Sequence, residues 1–244
     1  MSTIKLAEAY VHSNISTFHK KRIERLKSLK LNAILKRKNP YLFRAKNIST
    51  AQELVDNFLD AHLSSQEETL FGNFLEGLAI HLNGEIYGGK KSTAEGIDLE
   101  FEKDSIRHIV SIKSGPNWGN SSQIQRMRDN FIRARKIVQT SNSGIHLQAV
   151  NGCCYGKDDN PDKGDYTKLC GQRFWEFITG DKSIYKDIIE PLGHEAKARN
   201  EEFSSQRDNI LNKFTATFIE QFCRNDGSID WPRLIEFNSA ARGE

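Results

Sequence analysis

With 244 residues and a formal charge of only +3, the chain is long enough for one large domain, or a domain with an appendage, and too evenly charged overall to name a partner class. Its four cysteines, two of them adjacent at Cys153 and Cys154, include no CxxC pair; this argues against a disulfide framework or a four-cysteine metal site and leaves free thiols as the expectation. No apolar run approaches the ~20 residues that span a bilayer and no signal-peptide core opens the chain, so a soluble, cytoplasmic protein without a membrane partner is expected.

Residues 4–38 read as helix, with Ile4, Ala7, Tyr10, Val11, Ile15 and Phe18 spaced by threes and fours. From Lys20 to Lys46 there are eleven Lys or Arg against one acid, Glu24. A charge run is ordinarily a solvated face. This one is almost purely of one sign and is interleaved with Tyr41 and Phe43, which favours a surface for a polyanion. Asn39-Pro40 is expected to stop the helix, and residues 1–48 are set apart as a basic helical arm before a second domain over 49–244.

A second helical region runs from about Thr50 to Leu82, restarted by a capping box at Ser65 and Glu68. Leu70, Phe71, Phe74, Leu75, Leu78 and Leu82 form its core-facing stripe, and Asn83-Gly84 is expected to end it. "EIYGGKKSTAEG" reads as a strand and a loop. Two alternating stretches follow in "GIDLEFEKDSIRHIVSIKSGPNWGNSS": Ile97, Leu99 and Phe101 are apolar while Asp98, Glu100 and Glu102 face the other way. On the next strand Val110 and Ile112 are apolar, and Ser111 and Lys113 share the opposite face, just before the break at Ser114-Gly115-Pro116.

Ser122 and Gln125 then read as a capping box for a helix with Ile124, Met127, Phe131, Ala134 and Val138 on its packed face and Gln123, Arg126, Asn130 and Arg133 beside it. "GIHLQAVNGCCYG" reads as another strand entering the charged loop "KDDNPDKGD", and the chain from Tyr166 onward as mainly helical. The order helix, strand, strand, strand, helix, strand, helix implies an α+β fold, a central mixed sheet flanked by helices.

Asp98, Ser111 and Lys113 are therefore expected on one side of a hairpin near its strand ends. A carboxylate there can hold Mg²⁺, and the lysine can orient a nucleophilic water and offset developing negative charge, a combination suited to phosphodiester hydrolysis. An ordinary hairpin with a surface Asp and a strand-end Lys has the same pattern.

The hairpin resembles the active-site hairpin of the PD-(D/E)xK nuclease superfamily, with Asp98 at the first position and Lys113 at the last. Together "SIKSGPNWGNSSQ", "NPYLFRAKN" and "GQRFWEFITGD" resemble, in order, type II restriction endonucleases of the PmeII kind, over roughly residues 36–195. The resemblance implies a restriction-endonuclease-like fold, Mg²⁺ (or Mn²⁺ in its place) as cofactor, double-stranded DNA cut at a short palindrome, and a homodimer to match the two-fold site. Asp98 would bind metal with the Ile112 carbonyl, and Lys113 would position the water.

The chain departs from the pattern at Ser111, which stands where the superfamily has its second acid. Glu76, on the preceding helix and just outside its apolar arc, is the first replacement; it either reaches along the sheet edge or lies in water. Glu100 is the second choice and Asp129 a distant third. For DNA contact the candidates are Lys36, Arg37, Lys38, Arg44 and Lys46 on the arm, and Asn117, Asn120, Gln123 and Arg126 around the loop. Trp118 either stacks on a base or anchors the loop, the anchor being favoured, and Phe174, Trp175, Phe177 and Ile178 read as core. A less specific repair or defence nuclease, and a DNA-binding module whose catalysis has lapsed with Ser111, are the competing readings.

Overall fold

The computed structural model describes residues 1–141 and 146–241. Four helices precede the sheet: α1 (Thr3–Lys27), α2 (Leu31–Leu35), α3 (Pro40–Ala45) and α4 (Ala51–Tyr87). Then come β1 (Lys90–Lys91), β2 (Leu99–Lys103), β3 (Ile106–Lys113), α5 (Ser121–Ser141), β4 (His146–Cys153) and β5 (Thr167–Cys170). The chain finishes with α6 (Gln172–Thr179), α7 (Ile184–Asp187), α8 (Ile189–Leu192), α9 (Ala196–Phe222) and α10 (Trp231–Ser239). It divides into two compact units, one of residues 1–16 and 71–194 and the other of 17–70 and 195–244. This division does not follow the expected boundary at 48, because α2 and α3 bury their apolar residues in one cluster with α9 and α10.

The first unit is built on a sheet ordered β1-β2-β3-β4-β5, antiparallel from β1 to β3 and parallel from β3 to β5. β2 and β3 pair with Lys103 opposite Ile106, so the turn is only Asp104-Ser105. Both have positive φ, 53° and 61°, the left-handed pair that a two-residue hairpin needs to match strand twist. Alternation then assigns the faces. Leu99, Phe101, Val110 and Ile112 pack with Leu75, Leu78 and Leu82 of α4 and Phe174, Trp175 and Ile178 of α6. Ile109 and Ala149 turn the other way, against Met127, Phe131 and Ala134 of α5. Ile97, expected on the face of Leu99 and Phe101, precedes β2 and joins this second cluster instead, because strand alternation does not extend to it. Helices thus cover both faces of a mixed sheet, the α+β arrangement expected from the element order.

The second unit is helical. Leu26, Leu31, Ile34, Leu35 and Phe43 pack with Leu54, Phe58 and Leu59 of α4 and with Phe203, Leu211, Phe218 and Leu234 of α9 and α10. Arg22 pairs with Glu67 at 2.6 Å, and Arg207 bridges Asp56 and Asp60.

Several boundaries differ from the sequence reading. The helix expected over 4–38 breaks at residues 28–30, where Lys30 is extended (φ −126°, ψ 126°) and lets Leu31 and Ile34 reach the core. Asn39-Pro40 starts α3 rather than stopping a helix: the Asn39 side chain accepts from the Tyr41 and Leu42 N–H groups, and Pro40 takes the first helical position. Ser65 restarts nothing, since α4 runs unbroken for 37 residues. Nor does Asn83 end it; Asn83 is buried and donates to the Ile178 carbonyl at 2.9 Å, and α4 stops at Gly88, with φ +70°. The strand expected in "EIYGGKKSTAEG" reduces to Lys90–Lys91. The α5 capping box is Asn120 with Gln123, each side chain accepting the other's backbone N–H at 3.0 Å, two residues earlier than the expected Ser122 and Gln125. β5 is a strand where helix was expected, paired parallel to β4. Of the strand expected from Gly144, that residue and Ile145 lie outside the described residues, as do the last three residues of the helical C-terminal part.

Candidate active site

Register 99↔110 places Asp98 one step before β2, opposite Ser111. Its N–H donates to the Val110 carbonyl at 2.8 Å, and its carboxylate accepts from the Ile112 N–H at 2.6 Å. The backbone therefore fixes the carboxylate at the strand end through a charge-assisted bond. Lys113, last residue of β3, brings its ammonium 3.6 Å from that carboxylate and donates to the Ile112 carbonyl at 2.9 Å. The same ammonium lies 5.4 Å from the ring centre of Trp118. Trp118 packs against the α5 cluster and donates from its indole N–H to the Asn151 side chain at 3.1 Å; Asn151 in turn donates to the Ser111 carbonyl. The loop after Lys113 is thus anchored beneath the lysine.

Glu76 approaches along α4. One turn earlier, Gly72 leaves its helix face open to Ser114, where an added Cβ would come 3.4 Å from the serine Cβ. The Glu76 carboxylate lies 3.7 Å from the Lys91 ammonium and is largely sheltered. Burial holds its pKa above the ordinary carboxylate value and the charge of Asp98 adds to this, while Lys91 and Lys113 oppose both. An acid raised in part by a neighbouring acid marks two carboxylates near enough to feel each other's charge. The Tyr10 phenol is raised too, by burial and by Glu76.

Glu100 is committed elsewhere. It accepts from the Ser92 hydroxyl and pairs with Arg107 at 2.8 Å. Burial alone would raise its pKa, but these hydrogen bonds and the Arg107 charge leave it lowered. Asp129 is on the exposed side of α5, bonded to Gln125 at 3.0 Å. Ser111 is 1 % exposed, so an acid there would be an ion inside the protein, a costly placement unless paired. Among the described residues no group of three or more His, Cys, Asp or Glu gathers at metal-binding spacing; Asp98 and Glu76 are the two acids that act on each other beside Lys113, whose ammonium sits on the Ile112 carbonyl.

The remaining candidates scatter. Lys36 and Arg44 lie over Phe237 and Trp231, Lys46 over Phe43, and Lys38 donates to the Ala61 carbonyl at 2.9 Å; Arg37 is exposed. In the first unit Asn117 is exposed, while Asn120 and Gln123 spend their side chains on the α5 cap. Arg126 and Arg133 both reach Glu95, at 3.2 and 3.7 Å, and Asn130 is buried rather than part of the basic face. Sequence reasoning missed Lys91, Tyr10 and Asn151; no spacing singles out the first two, and Asn151 is visible only as a polar residue inside an apolar strand.

A mixed sheet covered on both faces by helices, with an acid and a lysine meeting at paired strand ends, is a restriction-endonuclease-like fold. The family model for type II restriction endonuclease EcoO109I matches residues 5–200, and the chain belongs to that family. Membership makes the protein a nuclease with DNA as its partner. No curated protein matches the chain. Among the described residues no helix is long and apolar enough to cross a membrane.

Proposed function

We propose that the protein is a Mg²⁺-dependent type II endodeoxyribonuclease of the PD-(D/E)xK class that cuts both strands of a short palindrome as a homodimer. The observation that carries the reading is the 3.6 Å approach of Lys113 to Asp98 at paired strand ends, with Glu76 as the second carboxylate. Asp98, Glu76 and the Ile112 carbonyl offer oxygens, the chemistry a hard divalent cation takes. Asp98, Glu76 and the Ile112 carbonyl would hold Mg²⁺, which supplies Lewis-acid charge against the scissile phosphate.

The chain's own groups do the rest. Asp98, fixed by the Ile112 N–H, stays in place without help from substrate. Lys113 has an ammonium hydrogen on the Ile112 carbonyl and others free to orient the attacking water and offset charge on the phosphate oxygens. Trp118 under the lysine restricts its stem, so the ammonium is positioned before DNA arrives. A palindrome presents two equivalent phosphates, and two copies of one site related by a two-fold axis match it.

The test is plasmid digestion by the purified full chain with Mg²⁺, Ca²⁺ or EDTA, followed by sequencing of fragment ends. Discrete fragments with Mg²⁺ alone, sharing one palindromic end sequence, are expected. A smear would mean a less specific nuclease, and intact plasmid under every condition would mean a binder without catalysis.

A further inference from the structure

In the strand register Lys113, Cys153 and Cys170 stand in one row across the C-terminal ends of the three parallel strands. Beyond Cys153 and Cys170 the chain opens a cavity of about 520 Å³, walled by Tyr155, Lys157, Arg173 and Tyr185. It is joined to the active-site loop by the backbone: Cys154 N–H donates to the Lys113 carbonyl at 3.0 Å and Tyr155 N–H to the Ser114 carbonyl at 3.1 Å. Its floor needs two glycines. Gly156 (φ +87°) lies against Pro116, and Gly171 (φ +53°) lies against the Gly156 carbonyl, where an added Cβ would come within 2.6 Å in each case.

The charge of this cavity is positive where it counts. Asp158 is engaged by Lys163 at 3.0 Å and Lys168 at 3.4 Å, which leaves Asp159 on the rim as the other acid. Among the described residues neither Lys157 nor Arg173 is ion-paired; Arg173 makes one bond of 3.4 Å to the Asp158 carbonyl, leaving most of its guanidinium hydrogens unused. Both tyrosines are exposed, Tyr155 by 56 %. Two cations with two phenol rings at the mouth of one cavity suit a phosphate with its attached sugar.

We infer that this cavity is a backbone clamp for the cut DNA strand, with one phosphate on Arg173 and Lys157 and its deoxyribose against Tyr155 and Tyr185. The inference rests on the nuclease reading of the Lys113 edge. One to two strand spacings of about 4.8 Å put the cavity about 5–10 Å from Lys113. At about 3.4 Å of duplex axis per nucleotide, the clamped phosphate falls within about three nucleotides of the scissile one.

The test uses the duplex identified by fragment-end sequencing, bound with Ca²⁺ in place of Mg²⁺ and carrying one methylphosphonate at a time. Wild type should lose about tenfold in affinity when the clamped phosphate is neutralised, the size of one charged hydrogen bond. Arg173→Ala should bind the unmodified duplex about tenfold more weakly and lose clearly less than wild type at that one position, and Arg173→Ala with Lys157→Ala should lose nothing further there, while losses at other phosphates still add. Additive losses at every position within about three nucleotides would overturn the clamp and leave the nuclease reading standing; wild type that binds no DNA would sink both. A second arm adds inorganic phosphate alone. If phosphate raised the melting temperature of wild type but not of Arg173→Ala, with no coupled position on the duplex, the cavity would belong to a free anion and the clamp would be wrong.

Discussion

Replacing Lys113 by methionine separates catalysis from folding and binding. Methionine keeps a flexible stem over Trp118 and removes the ammonium. In the ground state that ammonium faces Asp98 at 3.6 Å, a Coulomb term of about 4–5 kcal/mol at an effective dielectric of about 20. Much of it is offset by desolvation, and Asp98 keeps its 2.6 Å bond from Ile112, so the net stability change should be about 1 kcal/mol or less. Charge that develops on phosphate during attack has no such compensation. Losing a positioned donor there costs about 2.7–4 kcal/mol, a rate loss of about 10²–10³-fold. The assay is single-turnover cleavage of end-labelled duplex under saturating protein, beside a Ca²⁺-supported binding curve and a thermal melt. The variant should bind within a few fold of wild type, melt nearly normally and cleave hundreds of times more slowly. A cleavage rate within about threefold of wild type would show that Lys113 does not act on the transition state.

Glu76→Ala should cut the rate by about a hundredfold at low Mg²⁺, with partial recovery at high Mg²⁺ or with Mn²⁺, because one carboxylate holds the ion poorly. Glu100→Ala should keep most activity, since its carboxylate is bound to Ser92 and Arg107; a dead Glu100→Ala beside an active Glu76→Ala would relocate the metal site to the hairpin. Because the Glu76 pKa is raised in the folded protein, the stability this group gives the metal-free chain is present below the ordinary 4.5 and lost as pH rises through the folded value. Glu76→Gln should therefore remove that decline in a pH series of melts, and an unchanged series would contradict the burial argument. His108 has the opposite sign: burial and Lys103 hold its pKa below 6.5, so its contribution is present above 6.5 and lost as pH falls through the folded value, and His108→Leu should flatten that acid-side loss in urea titrations. Removing Lys36, Arg37 and Lys38 together should flatten the slope of log K against log salt by roughly 2 to 3, at about 0.9 per contact, with the lower figure expected because Lys38 is tied to the Ala61 carbonyl; an unchanged slope would make the run a solvated face.

The hairpin was legible in the sequence because strand alternation and a polar turn are local signals, and they place Asp98 and Lys113 on one side without tertiary information; the two-residue length of the turn came from the register. The α5 stripe was legible for the same reason: Met127, Phe131 and Ala134 recur at helical spacing and are buried. Boundaries set by competition were not. Asn120 and Ser122 are equally good caps on paper, and the backbone selects the one whose partner, Gln123, closes the reciprocal pair. Leu169 and Cys170 give β5 too short an apolar run to register; parallel pairing to β4 supplies what propensity does not. The basic stretch hid its packing, since Leu26, Ile34, Leu35 and Phe43 between the lysines are core residues. Glu76 was legible only as one of two possibilities, because a helical wheel gives a direction and not a neighbour. Gly72, one turn away and open to Ser114, is the residue that brings that face to the site.

The most direct measurement of the central claim is plasmid cleavage by Asp98→Asn beside wild type in Mg²⁺. Asparagine retains an oxygen to accept the Ile112 N–H, so the strand end should keep its geometry while the charge is lost. The predicted result is folded protein that leaves the plasmid intact where wild type cuts it to discrete fragments. Cleavage by Asp98→Asn at the wild-type rate would place the chemistry somewhere other than the β2–β3 strand ends.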